Sequence, residues 1–271
     1  MRYDKKNALK LADDLAHHLK TNGLAIVVED TLAGRLSTRQ ETVPLEKMKT
    51  DFIITIGGDG TILRTCLSIP KPEPPILAVN MGVRGFLTEV DPKHALTAVD
   101  KILAGEYKIE KCMKLATTAD GTKLPDALNE VVVTTDEPAK LLYTRILRNK
   151  EPIINCQSDG LIVATQTGST GYSLSAGGPV LDPDVDAFVL TPICPLSIFR
   201  PIVFPADSIL TIEVVKPEKT HILIDGRSRQ LISRKQPSLT ITRSNNQTSF
   251  IRLGENFYHR LRSRLLFRGM Q

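Results

Sequence analysis

The chain reads as two domains of different class: an N-terminal α/β domain, Rossmann-like in its strand–helix alternation, and a second, β-rich domain of β-sandwich type. Three observations predict this. The first hundred residues alternate short apolar strands with helical patterns. Residues 105–254 hold many short β-branched runs separated by turn residues. A helical pattern returns at the C-terminus. The expected boundaries are 1–104 for the α/β domain, with residues 255–271 as a helix packing back on it, and 105–254 for the β-rich domain. A length of 271 residues suits two domains, at roughly 100–200 residues each.

Residues 5–22 predict a helix, with Ala8, Leu11, Ala12, Leu15 and Leu19 on one face and Gly23 past its last turn. Residues 24–28 predict a strand, as do 51–56 (DFIITI) and 76–80; residues 61–67 resume a helical pattern. Asp91-Pro92 predicts a helix start, with Asp at the N-cap and Pro at the first helical position, running to about Ala104 and closed by Gly105. Alternation of this kind favours a parallel sheet with helices on it, and ligands of such sheets sit beyond the carboxyl ends of the strands. After Gly105 the runs 128–134, 141–147, 153–156, 161–165, 188–191, 209–215, 221–224, 239–242 and 250–253 predict strands. Asp120-Gly121, Asp159-Gly160 and Asp225-Gly226 are turn signals between them.

Composition narrows the function. Hydrophobic residues make up 41% and charged residues 24%, ordinary globular values. The net charge of +5 is spread along the chain. It suits an anionic small ligand and lacks the clustering of a nucleic-acid binder. No apolar run reaches the roughly 18 residues of a membrane span, and the first residues carry no secretory signal; a cytoplasmic protein is expected. Cys66, Cys112, Cys156 and Cys194 are far apart and read as buried free thiols. His17 and His18 read as solvent-facing on the first helix. His94, His221 and His259 are isolated, so no spacing supports a metal cluster.

The strongest signal is Gly57-Gly58-Asp59-Gly60-Thr61, after a buried strand and before a helix. Three glycines in five positions permit backbone conformations closed to other residues and close approach to a ligand. A helix starting there offers free N–H groups and a positive dipole end to phosphate. Asp59 has two readings: a helix cap, or a carboxylate placed for phosphoryl transfer to an alcohol, where a proton must be taken or a cation held. Neither P-loop nor G-x-G-x-x-G spacing is present.

Two further segments carry polar chemistry. Asn129-Glu130 opens the run LNEVVV; it is a strand edge, or an amide and a carboxylate able to hold vicinal hydroxyls. Residues 165–179, TQTGSTGYSLSAGGP, are rich in hydroxyls and glycines. They form a surface connection, or ring a polar ligand with Tyr172 stacked on a base.

GGDGT resembles the signature shared by NAD kinases, phosphofructokinases, and diacylglycerol and sphingosine kinases. The longer segment chooses among them. TQTGSTGYSLSAGGP closely resembles the NAD kinase sequence TPTGSTAYSLSAGGP, with Gln166 where Pro is usual and Gly171 where Ala is usual. Asn129-Glu130 is similar to that family's Asn-Glu pair. Ser158-Asp159-Gly160, Pro192-Ile193-Cys194-Pro195 with Arg200-Pro201-Ile202-Val203, Ile224-Asp225-Gly226, and Asn80–Leu87 (NMGVRGFL) resemble further family segments. Leu196 stands where a His is customary. The resemblance runs from Gly57 to Gly226.

That resemblance implies a phosphotransferase that phosphorylates the 2′-hydroxyl of the adenosine ribose of NAD to give NADP. The donor implied is ATP or polyphosphate, with Mg²⁺ or another divalent cation accompanying it. NAD is expected in a cleft between the two domains. The resemblance makes Asp59 catalytic. Gly57, Gly58, Gly60 and Thr61 would meet phosphates, with Arg64 and Arg84 offered as donor contacts and Phe86 at the adenine. Asn129, Glu130, Asp159, Thr167, Thr170, Gly171, Tyr172, Ser175 and Asp225 would hold NAD, Asp159 across a subunit interface. A homodimer or homotetramer is implied, with no nucleic-acid or membrane partner. The rivals are a lipid kinase of the diacylglycerol or sphingosine type, a sugar-phosphate kinase, and a non-catalytic NADP sensor.

Overall fold

A computed structural model describes residues 5–37, 40–82, 85–137, 140–254 and 257–262. The chain divides into two compact units, Met1–Lys111 with Thr248–Gln271, and Cys112–Gln247. The first unit thus extends past the expected 1–104 and 255–271 at both junctions, and the second is correspondingly shorter than 105–254.

The first unit opens with helix α1 (Lys5–Thr21), whose Leu11, Leu15 and Leu19 pack with Val79, Ala95 and Val99. Strand β1 (Val27–Glu29) pairs in parallel with β2 (Glu41–Val43), a strand that no apolar run announced. Strand β3 (Ile53–Gly57) leads into α2 (Asp59–Ser68), which starts two residues before the expected Thr61. Strand β4 (Ile76–Asn80) pairs with β3 in parallel, Gly57 level with Asn80. β4 is buried throughout, as a strand covered on both faces should be. Helix α3 (Ala95–Leu103) packs Ala98 and Ile102 with Leu77, Val90 and Ile251. Its entry differs from expectation. A 3₁₀ turn over Pro92–His94 precedes it, and the Asp91 side chain makes no capping bond. Gly105, at φ +76, closes it as expected.

Strand β5 (Lys108–Ala119) begins in the first unit and enters the second, where Asp120 and Gly121, both at positive φ, turn it into β6 (Thr122–Lys123). There follow β7 (Glu130–Thr135), β8 (Leu142–Arg148), β9 (Glu151–Ser158) and β10 (Gly160–Ala164), then helix α4 (Tyr172–Ser175). After it come β11 (Ala187–Ile193), β12 (Ile202–Pro205), β13 (Leu210–Lys216), β14 (Lys219–Ile224) and β15 (Ser228–Ser233). One antiparallel sheet has the order β12-β11-β10-β7-β14-β15. Every residue of β10 is buried, and Ile162 and Ala164 pack with Val132, Val189 and Leu181. Strand β16 (Ser238–Arg252) pairs with β13, β13 with β8, and β8 with β9.

β16 is one strand of 15 residues where two short runs were expected. The polar residues between those runs remain extended because they have partners. Ser244 Oγ and Asn246 Nδ2 donate to Asp126 at 2.7 and 2.6 Å. Strands β5, β12 and β15 were also not anticipated. In the first unit, Phe250 of β16 lies level with Ile76, and α5 (Phe257–Leu261) follows. The remainder of the expected terminal helix lies outside the described residues.

Three smaller expectations fail. Cys66 and Cys156 are buried, but Cys112 is half-buried and Cys194 is exposed, because a loop rather than a strand carries Cys194. His18 is not simply solvent-facing: its Nε2 meets Asp100 Oδ1 at 2.6 Å. Nor is His221 isolated in space; it is bonded to Asp136 and Arg229. No helix among the described residues is long and apolar enough to cross a membrane.

Candidate active site

In the first unit the carboxyl ends of β3 and β4 lie side by side, the place where sheets of this kind receive ligands. The turn between β3 and α2 makes Gly58 the N-cap, at φ −110 and ψ −173. None of Gly57, Gly58 or Gly60 takes a positive φ. The expectation of conformations closed to other residues is therefore corrected, and at Gly57 the reason for glycine is space. A Cβ there would stand 2.2 Å from Thr61 Oγ1.

Asp59 is the first residue of the helix, after the N-cap Gly58. Its carboxylate reaches across to the loop after β4, where the Phe86 N–H donates to Oδ2 at 2.8 Å and the Leu87 N–H to Oδ1 at 3.2 Å. Gly85 makes the approach possible: a Cβ there would lie 1.5 Å from Asp59 Oδ1. The loop is closed by Thr88, whose hydroxyl accepts the Gly85 N–H at 3.1 Å and donates to the Gly85 carbonyl at 3.2 Å. Phe86 thus serves through its backbone, whatever its ring does. Behind the turn, Asn80 donates to the Gly82 carbonyl at 2.8 Å, while its buried Oδ1 has no partner. Arg64 is engaged elsewhere: it forks onto Glu29 at 2.5 and 2.7 Å. That bond holds the Glu29 carboxyl below its ordinary range and raises the guanidinium further. Arg84 lies outside the described residues.

The second unit gathers its polar residues at one end of the six-stranded sheet. Glu130 at the start of β7 is level with Ala164 at the end of β10, and Val131 with Ile224 at the end of β14. Asp225 follows at φ 51 and Gly226 at φ 62, the paired left-handed residues of a tight hairpin. That turn aims the Asp225 carboxylate at the start of β7. It accepts N–H groups of Leu128 at 2.9 Å, Asn129 at 2.7 Å and Glu130 at 3.1 Å. Its own N–H donates to the Glu130 carbonyl at 3.0 Å. Burial pushes the Asp225 carboxyl up, against the pull of those three donors and of Lys114, which is itself fully buried. Asp225 is an anchor for the Asn129-Glu130 pair.

From the other side Thr165 grips the same segment. Its hydroxyl donates to the Leu128 carbonyl at 2.6 Å and accepts the Gly168 N–H at 3.1 Å. Gly168 is seated so closely that a Cβ would lie 2.0 Å from the Asn129 carbonyl oxygen. At Gly171 a Cβ would be 3.3 Å from Glu130 Oε2 and 3.2 Å from the Gly168 carbonyl. The held pair offers two buried acceptors, Asn129 Oδ1 and Glu130 Oε2, that have no hydrogen-bond partner. Each leaves a cost of about 1–3 kcal/mol that a donor would remove. Burial, with Asp225 beside it, pushes the Glu130 carboxyl up to about 7.

Residues 168–175, read as a loop, are a 3₁₀ turn followed by α4. Internal bonds shape it. Thr170 Oγ1 donates to the Thr167 carbonyl at 3.0 Å, and Ser169 Oγ to that of Gln166 at 2.6 Å. Gln166 Nε2 donates to the Val185 carbonyl at 2.6 Å, a tether in place of the stiffness Pro would supply. Tyr172 and Ser175 are exposed. Asp159 is exposed too, with its N–H on the Ile193 carbonyl at 2.9 Å and its carbonyl taken by Thr134 Oγ1 at 3.1 Å.

The residues the sequence reading did not single out are Gly85, Leu87, Thr88, Thr165 and Gly168. All but Thr88, which directly follows one, lie inside segments that carried the resemblance; Gly85, Leu87 and Gly168 work through backbone atoms or absent side-chain volume, and Thr88 and Thr165 through hydroxyls bonded to backbone. Lys114 had no signal at all. Among the described residues no three His, Cys, Asp or Glu side chains gather as a metal-ligand group.

Comparison with known proteins agrees with this geometry. Residues 1–107 match the family model of the ATP-NAD kinase N-terminal domain, and residues 128–253 that of the C-terminal domain. The chain is 40% identical to an NAD kinase of Methanothermobacter thermautotrophicus, covering 99% of this chain and 95% of that one. It is also 40% identical to an NAD kinase of Thermococcus kodakarensis over 95% of this chain and 94% of that one. The structure is similar to an Archaeoglobus fulgidus NAD kinase in complex with ATP, with TM-score 0.72 and 29% identity over 85% of this chain and 90% of that one. Its fold also matches a yeast NADH kinase complexed with NADH, with TM-score 0.87 and 24% identity over 97% of this chain and 85% of that one.

Proposed function

This chain belongs to the NAD kinase family, and from that premise we propose that it transfers the γ-phosphoryl group of ATP to the 2′-hydroxyl of the adenosine ribose of NAD, giving NADP. The observation that carries this reading is the Asp59 carboxylate. It stands at the start of α2 and is clamped by two backbone N–H groups of the loop after β4. A carboxylate so oriented suits a reaction that needs a fixed acceptor for one hydroxyl proton.

In this reading Asp59 orients the 2′-hydroxyl and takes its proton as the O–P bond forms. A ribose hydroxyl is far less acidic than a carboxylic acid, so the proton moves with bond formation and not before it. A loose transition state asks mainly for alignment. The N-terminal end of α2 faces phosphate oxygens, favoured by the helix dipole. Mg²⁺ enters with the triphosphate as part of the donor and offsets its charge. In the second unit, Asn129 Oδ1 and Glu130 Oε2 accept hydroxyls or an amide of NAD. Thr167, Thr170, Gly171, Tyr172 and Ser175 line the same end of the sheet. Exposed Asp159 is assigned the contact to NAD bound by a partner subunit in a homodimer or homotetramer, and the protein is assigned to the cytoplasm.

The test is NADP formation by the purified protein with NAD, ATP and Mg²⁺, read through an NADP-specific dehydrogenase, beside an Asp59→Asn control. Formation that vanishes in the control is expected. Silence with ATP, and again with polyphosphate or with NADH as acceptor, would overturn the reading.

A further inference from the structure

Resting on that reading, we propose that Arg252 is a positioning residue for the reaction, acting on Asp59 through the backbone of Leu87. The chain of contacts is short. The Leu87 N–H holds Asp59 Oδ1 at 3.2 Å, and the Leu87 carbonyl accepts Arg252 Nη1 at 3.1 Å. One residue therefore joins the carboxylate to the guanidinium.

Arg252 is itself tightly determined. Its Nη1 lies 3.1 Å from Glu89 Oε2, its Nε donates to Glu110, and its guanidinium stands 4.9 Å from the centre of the Phe250 ring. Arg260 of α5 adds contacts of 3.6 Å to both Glu89 and Glu110. Glu89 also accepts the Leu253 N–H at 2.8 Å. Two arginines and Glu89 are thus nearly withdrawn from water in the first unit, with Glu110 partly exposed beside them. Buried ion pairs are a weak source of stability, since well-packed apolar residues often serve as well. A cluster of this kind placed against one carbonyl has a second use: it fixes the peptide that follows Leu87, and through the Leu87 Cα it limits the N–H on that residue's other side. On the other side Thr88 ties Gly85, and Gly85 has no room to move toward Asp59. The two N–H donors on Asp59 are aimed by Thr88 at one end of the loop and by Arg252 at the other. Nη1 serves the Leu87 carbonyl and Glu89 while Nε serves Glu110, two nitrogens held in one plane, a spread that the single nitrogen of a lysine does not reproduce.

The experiment compares steady-state kinetics of the full chain with those of Arg252→Lys, which keeps the charge and loses the fork. The expected result is a fall in kcat of about tenfold or more, with KM for NAD and for ATP within about twofold. The same substitution in an Asp59→Asn background is expected to change the residual rate by less than about twofold, because the group it positions is gone. Val99→Ala, a core truncation in α3 of the same unit, supplies a control of comparable thermal stability loss with kcat retained. Thr88→Val, which loosens the loop from its other end, is expected to repeat the kcat effect and decides the matter should Arg252→Lys fail to fold. A folded variant with kcat within about twofold of the parent overturns the proposal, as does an equal loss in both Asp59 backgrounds. Absence of NADP formation in the unsubstituted chain removes the underlying reading and this proposal with it, and is seen before any substitution is compared.

Discussion

Asp59 and Glu130 are both carboxylates at the ends of strands, and their surroundings are opposite. Both oxygens of Asp59 accept backbone N–H groups, and the loop that supplies them is pinned at Gly85 and Leu87. Glu130 is nearly buried and one of its oxygens has no partner, like the neighbouring Asn129 oxygen. The satisfied carboxylate has a fixed direction, as a group that must meet a reacting hydroxyl requires. The unsatisfied pair carries a cost that a ligand's donors would remove, which turns binding into relief of strain. Asp225 shows that burial alone does not make the difference. It is as buried as Glu130, yet three backbone N–H groups meet it.

The comparison breaks first at Asp59. Asp59→Asn places an amide donor against one of the two N–H groups and removes the base. It is expected to lower kcat by about 10²–10⁴-fold while the NAD dissociation constant, measured by calorimetry, stays within about twofold. Preserved turnover with lost binding would reverse the two roles. The next largest effect is expected at Gly168→Ala, whose Cβ must displace the Asn129 carbonyl. A loss of about 2–3 kcal/mol, several degrees in Tm, should accompany an NAD KM raised about tenfold, with kcat at saturation largely kept. An unchanged KM would show that the Gly168 contact does not hold the Asn129-Glu130 pair.

Glu130 sharpens the comparison through pH. Its folded value of about 7 lies above the ordinary 4.5. Between those values the folded chain keeps a proton that the unfolded chain has released. The associated stability is full below 4.5 and is lost as pH rises through about 7. The unliganded Tm of the parent should therefore fall over that interval more than that of Glu130→Gln. NAD affinity should move the other way, tightening as the acceptor ionises, and should be flat in the variant. A pH profile shared by parent and variant would remove Glu130 from NAD binding. The smallest effect is expected at Gly171→Ala, where the added Cβ meets neighbours at 3.2 and 3.3 Å. A change in NAD KM below about threefold is consistent with a neighbour that gives by a few tenths of an ångström. A tenfold change would show that Gly171 makes room for Glu130.

Much of this was legible in the chain. The buried strand before Gly57, the left-handed Asp225-Gly226 turn and the alternating apolar runs are local signals. A strand, a tight turn and an amphipathic helix each need only neighbours in sequence. What failed locally failed for tertiary reasons. Polar residues 243–247 read as a break, and stay extended because Asp126 bonds two of them. Asp91 read as a cap, and the chain enters α3 through a 3₁₀ turn instead. Gly57 was open to a conformational reading, whereas the Thr61 side chain fills the space a Cβ would take; at Gly85, which had no such reading, the occupant is the distant Asp59.

By itself the sequence determined the two classes of secondary structure, the order of the polar segments, and the family those segments belong to. Only the tertiary structure decided which of those groups are anchors and which are left to bind. Asp225 and Asp59 are both aspartates beside glycines. The first proves to be an anchor for its own backbone because Leu128–Glu130 lies about 95 residues away in sequence and alongside it in the sheet. The second is clamped because Phe86 and Leu87, 27 and 28 residues on, return their N–H groups to it. Hydrogen bonding depends on distance and angle in space, and no spacing along the chain specifies either one.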